Sequence, residues 1–199
     1  MKYGQLNLGQ IEAIVNKLGG MEGVLRFLSG ELVVRQEHQL EVWKTINLGT
    51  GLKTTDDFRK ALESAGFKIS SWASGILGMP DFTVASEEVT IDLARVTVAE
   101  LGFEEETTLD QIYERAKWLG LKICPPEVGP QLCLQYPNQP TGEKILIGMK
   151  PIAGPEDSLN VFNVMNDSQR WLHSYWDANP GHWSPSSQWV FRLPRLLCE

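Results

Sequence analysis

Residues 89–120, VTIDLARVTVAELGFEEETTLDQIYERAKWLG, contain both kinds of secondary structure that define the fold class. The opening part is rich in Val, Thr, Ile and Leu, a composition typical of a β-strand. An acidic run then leads to Thr107 or Thr108, either of which can cap a helix. Apolar residues recur at helical spacing as far as Leu119, and Gly120 is the expected stop. This stretch therefore predicts a strand followed by a helix near residues 108–119.

The chain before this stretch is predicted to be mainly helical. Residues 8–30 and 54–78 follow the same pattern, in which a helix with one apolar face is followed by glycine and a second short helix. Between them, ELVV at 31–34 and LEVWKTINL at 40–48 are typical of a short strand pair. We therefore expect residues 1–80 to form helical hairpins with a short strand pair.

The chain after this stretch is predicted to be mainly β-sheet. Short runs rich in β-branched and aromatic residues alternate with turns that contain Pro, Gly, Asn and Asp. The sequence thus predicts an α+β fold, in which residues 81–199 form a mainly antiparallel sheet with one packed helix. Both halves are expected to belong to one compact unit. The predicted strands are LKIC (121–124), QLCLQY (131–136), KILIGMKPI (144–152), NVFNVM (160–165), RWLHSY (170–175) and QWVFRL (188–193).

The net charge of the chain is −7, and most of the acidity lies in one block. Residues 81–120 carry three Lys or Arg against ten Asp or Glu, whereas the parts on either side are close to neutral. A protein that binds nucleic acid or an anionic membrane needs a basic surface. The charge pattern therefore predicts a protein that binds neither.

Cysteine usage and apolar runs indicate the compartment. The three cysteines, Cys124, Cys133 and Cys198, are odd in number and widely spaced, unlike those of a disulfide scaffold or a zinc site. The N-terminal residues lack the apolar run of a signal peptide, and no run approaches the roughly 18 apolar residues of a membrane span. We expect a soluble cytoplasmic protein without a metal or cofactor.

Glu127 and Gln131 lie in the segment CPPEVGPQL, which its prolines are expected to stiffen. Functional groups are often positioned on loops of this kind. A carboxylate here can act as a general base beside a histidine, and His173 and His182 are the candidate partners. The alternative interpretation is that Glu127 is a solvated residue of an ordinary loop.

The segment GTGLKT, residues 49–54, resembles a phosphate-binding loop in its context, because a predicted strand precedes it and a predicted helix follows. Its glycine spacing is wrong, since Leu52 occupies the position of the last glycine. An anion site made of helix amides and Lys53 is one interpretation. A glycine-rich turn that caps a helix is the favoured one.

Residues 171–191, WLHSYWDANPGHWSPSSQWVF, contain four of the seven tryptophans and two of the three histidines. Aromatic side chains among turns can form a binding surface, and they can equally close the core of a sheet. We interpret most of this aromatic tail as core and keep Trp176, His182 and Trp183 as candidate binding residues. His173 is a catalytic candidate without a nucleophile of recognisable triad geometry.

Three motifs resemble a set of uncharacterised bacterial proteins of about this size. They are GLKTTDDFRKAL (51–62), VTVAELGF (96–103) and CPPEVGPQLCLQY (124–136). The resemblance covers most of the chain after residue 42. It implies no activity, cofactor or site residue.

The leading functional hypothesis is a non-enzymatic interaction module that binds a protein or a small ligand. Its surface would combine residues 125–131 with the aromatic tail. The first alternative is a small hydrolase or transferase that uses Glu127 with His173 or His182. The second is a helix-turn-helix regulator of DNA. That regulator would need a basic face made of Lys17, Arg26, Lys53, Arg59 and Lys60.

Overall fold

A computed structural model describes residues 7–32, 40–154, 158–176 and 183–194, with the side chain of Trp176 excepted. The chain divides into two compact units, Met1–His38 and Gln39–Glu199. The first unit is helical, and the second contains the sheet and every residue of the main hydrophobic core.

The first unit consists of α1 (Leu8–Lys17) and α2 (Gly20–Leu28). A capping box begins α1, because the Asn7 side chain accepts from the Gln10 amide at 2.9 Å and the Gln10 side chain accepts from the Asn7 amide at 3.0 Å. Gly19 separates the helices in the left-handed region, at φ 87°. Gly23 of α2 is the only buried residue described in the two helices, so these helices do not enclose an apolar core of their own. Their exposed large apolar residues are Leu8, Ile11, Ile14, Met21, Leu25, Phe27 and Leu28.

The second unit contains four helices among its described residues. Three of them begin at side-chain caps: Thr54, Ser70 and Thr108 each accept a hydrogen bond from an amide three residues ahead. Thr108 is one of the two caps that the sequence predicts. The helices are α3 (Thr55–Ser64), α4 (Ser71–Leu77), α5 (Leu109–Trp118) and α6 (Val128–Gln135).

One mixed sheet of eight strands forms the centre of the second unit. Five strand pairs are antiparallel, and the pairs β2–β7 and β4–β8 are parallel. The order across the sheet is β1-β3-β8-β4-β6-β7-β2, with β5 paired to β6 off this path. The strands are β1 (Lys44–Leu48), β2 (Lys68–Ile69), β3 (Val89–Thr97), β4 (Lys144–Ile147), β5 (Ile152–Ala153), β6 (Leu159–Asn166), β7 (Arg170–Trp176) and β8 (Gln188–Arg192).

The α+β class is confirmed, and the expectation of one packed helix is corrected. QLCLQY was predicted as a strand, but Gln131 to Gln135 belong to α6, so the described residues after β3 contain two helices, α5 and α6. Pro130 lies in the first turn of α6, where a missing amide proton costs little. Strand β1 lies within the predicted strand at 40–48 and pairs with β3. Val33 and Val34 of its predicted partner ELVV lie outside the described residues.

Helix α6 packs closely on the sheet because it carries a glycine at the contact. A Cβ added to Gly129 would meet atoms of the Phe162 side chain at 2.8 Å. Phe162 is fully buried on β6, and its ring meets that of Phe82 edge-on at 6.1 Å. This close approach brings the start of α6 to the loops that follow β1 and α4.

Candidate functional site

Glu127 precedes α6 and has no exposed surface. Its two carboxylate oxygens accept hydrogen bonds from the backbone amides of Gly49 and Ala85, each at 2.8 Å. Gln131 donates a third, from Nε2 to Oε1 at 3.0 Å. Buried carboxylates are stable only when they are bonded in this way. Glu127 therefore joins the loops after β1 and α4 to the start of α6.

The polar side chains of α6 continue this contact along β1. Gln131 donates to the Thr50 hydroxyl at 2.8 Å and accepts from Gln135 at 2.9 Å. Gln135 also bonds both backbone groups of Asn47, at 2.9 Å and 2.7 Å. Residues four apart on a helix share one face, so the three side chains form a continuous row. The structure thus brings Glu127 and Gln131 together, in a hydrogen-bond network that fixes the backbone of the loops beside α6.

The GTGLKT segment is a capped turn. The amides of Lys53 and Thr54 donate to Asp57 Oδ2 at 3.2 Å and 2.9 Å. The hydrogen bond with the Thr54 side chain, followed by those with the backbone, lowers the pKa of Asp57. A carboxylate of the chain itself therefore already occupies the amides that would bind an external anion.

His173 lies on β7 opposite Asn163 and is half-buried. Its Nδ1 is 2.6 Å from the carbonyl oxygen of Ser174, which requires the proton on that nitrogen. In the described part of the chain, the hydrogen-bond partners of Glu127 do not include a histidine. His182, the other imidazole candidate, lies outside the described residues.

The aromatic tail contributes both core and cavity wall. Trp189 is fully buried and Trp183 is 5% exposed, with their ring centroids 4.8 Å apart. Trp183 also meets the ring of Tyr175 at 4.7 Å, and Tyr175 is 41% exposed. The side chain of Trp176 lies outside the described residues.

Beside these rings is an open cavity of about 380 Å³, here named the Trp183 cavity. Parallel pairing of β4 with β8 places Ile145 opposite Gln188, and this register brings the start of β4 to the serines that precede β8. The Ser184 hydroxyl is 3.0 Å from that of Ser186 and 3.2 Å from that of Ser187. The described lining residues are Gly142, Glu143, Lys144, Leu146, Tyr175, Trp183, Ser184, Ser186, Ser187 and Gln188.

Three buried polar atoms of this lining have no hydrogen-bond partner among the described residues. They are the indole nitrogen of Trp183, a donor, and two acceptors, Oε1 of Gln188 and Oε2 of Glu143. Buried polar groups in proteins are nearly always bonded, and leaving one unbonded costs about 1–3 kcal/mol. One donor and two acceptors in this state thus belong to the lining of a single cavity.

The cysteines that the structure describes do not contribute to this cavity. Cys124 and Cys133 are both buried, and neither forms a disulfide. Burial raises the pKa of the Cys124 thiol to about 12 and raises that of Cys133 as well. No group of described side chains could hold a metal ion. None of the helices within the described ranges is long and apolar enough to cross a membrane.

Sequence reasoning identified Trp183 but missed its neighbours in the cavity. Tyr175 and the three serines of the lining lie within the aromatic tail, whereas Glu143 and Lys144 come from a distant part of the chain. Comparisons with protein-family models, curated proteins and solved structures found no match to this chain. Function is therefore inferred from the geometry of the described residues.

Proposed function

We propose that this protein is a non-enzymatic binding module, and that its ligand is a small molecule with several hydroxyl groups held in the Trp183 cavity. The observation that carries the proposal is the set of three unbonded atoms in its lining, Trp183 Nε1, Gln188 Oε1 and Glu143 Oε2. A hydroxyl group both donates and accepts, so a ligand with several hydroxyls can satisfy all three atoms.

The remaining walls have the chemistry that such a ligand needs. The exposed ring of Tyr175 offers an apolar face to the C–H groups of a polyol. The hydroxyls of Ser184, Ser186 and Ser187 add hydrogen-bond donors and acceptors to the lining. A mostly polar cavity with a few aromatic groups favours a small polar molecule over the apolar side chains of a protein partner.

Binding is favoured over the enzymatic alternative. Catalysis by Glu127 requires its carboxylate to reach a substrate. That carboxylate is fully buried, and both of its oxygens accept hydrogen bonds from backbone amides. The lining residues that the structure describes include serines bonded to one another, and none of them bonds a histidine. An unactivated serine hydroxyl is a poor nucleophile.

The DNA-binding alternative is disfavoured by the pairing of its basic residues. Arg26 bonds Glu31 at 3.2 Å, and Arg59 bonds Asp56 at 3.0 Å. Such pairs reduce the positive charge available for phosphates, in a chain whose net charge is −7.

The experiment is ligand-detected NMR by saturation transfer with sorbitol as the probe polyol. We expect saturable binding to the wild-type chain and about fivefold weaker binding to Tyr175→Ala, because the ring face is lost. Trp118→Ala is the matched control, since Trp118 is 37% exposed on α5, outside the cavity lining. Equal loss in both variants, or binding unaffected by Tyr175→Ala, would refute the proposed site.

A further inference from the structure

We propose that the ligand of the Trp183 cavity carries an anionic group, a carboxylate or a phosphate, which is bound by Lys144. This inference rests on the proposed function, because it concerns the same cavity. It narrows the ligand from polyols in general to polyhydroxylated anions.

The charge balance of the cavity supports this class of ligand. Its described lining contains two charged residues, Glu143 and Lys144. Glu143 directs Oε1 at Arg95 Nη1, 2.6 Å away, and its side chain is 10% exposed. Arg95, outside the lining, therefore pairs with one carboxylate oxygen of Glu143, whereas the other, Oε2, is buried without a hydrogen-bond partner among the described residues. Lys144 has no carboxylate within salt-bridge distance in that part of the chain, so its ammonium group is available to pair with an anion.

The ammonium group of Lys144 is held at the cavity by an aromatic ring. Its Nζ lies 4.2 Å from the centroid of the Tyr175 ring, within the range of a cation–π contact. Tyr175 also packs on Trp183, so the ammonium group and the indole both contact the same phenol ring. A ligand lying against Tyr175 would have its hydroxyls near Trp183 and its anionic group near Lys144.

The surroundings of Lys144 add a modest reason to bind an anion. Although the residue is exposed, partial desolvation of its ammonium group lowers its pKa, because less water stabilises the charge. An anionic ligand would supply the lost stabilisation through a charge-assisted hydrogen bond, which is about twice as strong as a neutral one. The serine hydroxyls of the lining can donate to the same anion.

The test compares three six-carbon probes that differ in charge: sorbitol, gluconate and sorbitol 6-phosphate. Their affinities are measured by calorimetry at constant ionic strength for the wild-type chain, Lys144→Gln and Lys150→Gln. Lys150 is an exposed lysine outside the described lining and is the matched control. We expect at least one anion to bind about tenfold tighter than sorbitol to the wild-type chain. That difference should disappear in Lys144→Gln and persist in Lys150→Gln.

The outcomes separate this inference from the proposed function. If sorbitol binds as tightly as both anions, the anionic class is wrong and the polyol site stands. If Lys144→Gln leaves the difference intact, Lys144 does not bind the anionic group, and the inference fails while the polyol site stands. If none of the three probes binds, both proposals fail. The anion that binds more tightly identifies whether the ligand carries a carboxylate or a phosphate.

Discussion

The Glu127 carboxylate and the Gly49 amide, 2.8 Å apart, join the start of α6 to the loop after β1. The pair is separated by 78 positions in sequence and is part-buried. The Ala85 amide donates to the other carboxylate oxygen of Glu127, also at 2.8 Å. Glu127, which the sequence offered as a candidate general base, therefore supports two loops through these hydrogen bonds. Its removal should affect stability rather than binding.

The first prediction concerns this support. Glu127→Ala leaves two amide protons without an acceptor, so we expect the free energy of unfolding to fall by about 3 kcal/mol in urea titrations. Glu63→Ala, an exposed substitution on α3, should change it by less than about 0.5 kcal/mol. Polyol binding by the folded fraction of Glu127→Ala should match that of the wild-type chain. A fully stable variant that had lost ligand binding would assign Glu127 to the site instead.

The second prediction concerns the contact of α6 with the sheet. In Gly129→Ala the added methyl group meets the Phe162 side chain at 2.8 Å, and we expect about 1–3 kcal/mol of destabilisation from this overpacking. Gly9→Ala is the control, because its Cβ would meet only Asn7 Oδ1, at an ordinary 3.5 Å. Equal urea midpoints for the two variants would contradict the packing of α6 described here.

The third prediction concerns the thiols. Because burial raises the pKa of Cys124 to about 12, its thiolate is a trace species between pH 7 and pH 9. Raising the pH from 7 to 9 should therefore leave Cys124 and Cys133 unalkylated by iodoacetamide in the folded protein. Both should react once the chain is unfolded in urea. Peptide mapping by mass spectrometry distinguishes these sites, and rapid labelling of either one at pH 7 would show that it is accessible.

The fourth prediction concerns Gln188. In Gln188→Met the side chain keeps its length but loses the buried acceptor that has no partner among the described residues. We expect the unfolding free energy of the ligand-free chain to stay within about 1 kcal/mol of wild type, since no hydrogen bond is broken. Affinity for the ligand should fall about tenfold, as measured by calorimetry. A large loss of stability with unchanged affinity would mean that Gln188 is purely structural.

Local signals explain how much of the fold could be predicted. Helices α3, α4 and α5 begin at caps that are visible in sequence, and Gly66 and Gly120 follow the ends of α3 and α5. Helix α6 was missed because six of its eight residues are buried. A helix buried on most sides lacks the apolar stripe, repeating every three to four residues, that marks a surface helix. The short run QLCLQY therefore fits a strand equally well.

The cavity was only partly predictable, because it depends on a strand pairing between distant segments. Trp183 and the serines are neighbours in sequence, and their composition drew attention to them. Lys144 joins them only because β4 runs parallel to β8, with Ile145 opposite Gln188. No local pattern specifies that pairing or its register. The role of Glu127 was hidden for the same reason, since its partners are backbone amides of remote loops.

The most direct measurement of the central claim is the indole N–H spectrum of the ¹⁵N-labelled protein during titration with gluconate. Trp183→Phe identifies the Trp183 signal among those of the seven tryptophans. Formation of a new hydrogen bond to the ligand should shift this signal downfield in a saturable manner, while that of Trp118 remains in place. A Trp183 signal that stays fixed while gluconate binds elsewhere would contradict a ligand site in the Trp183 cavity.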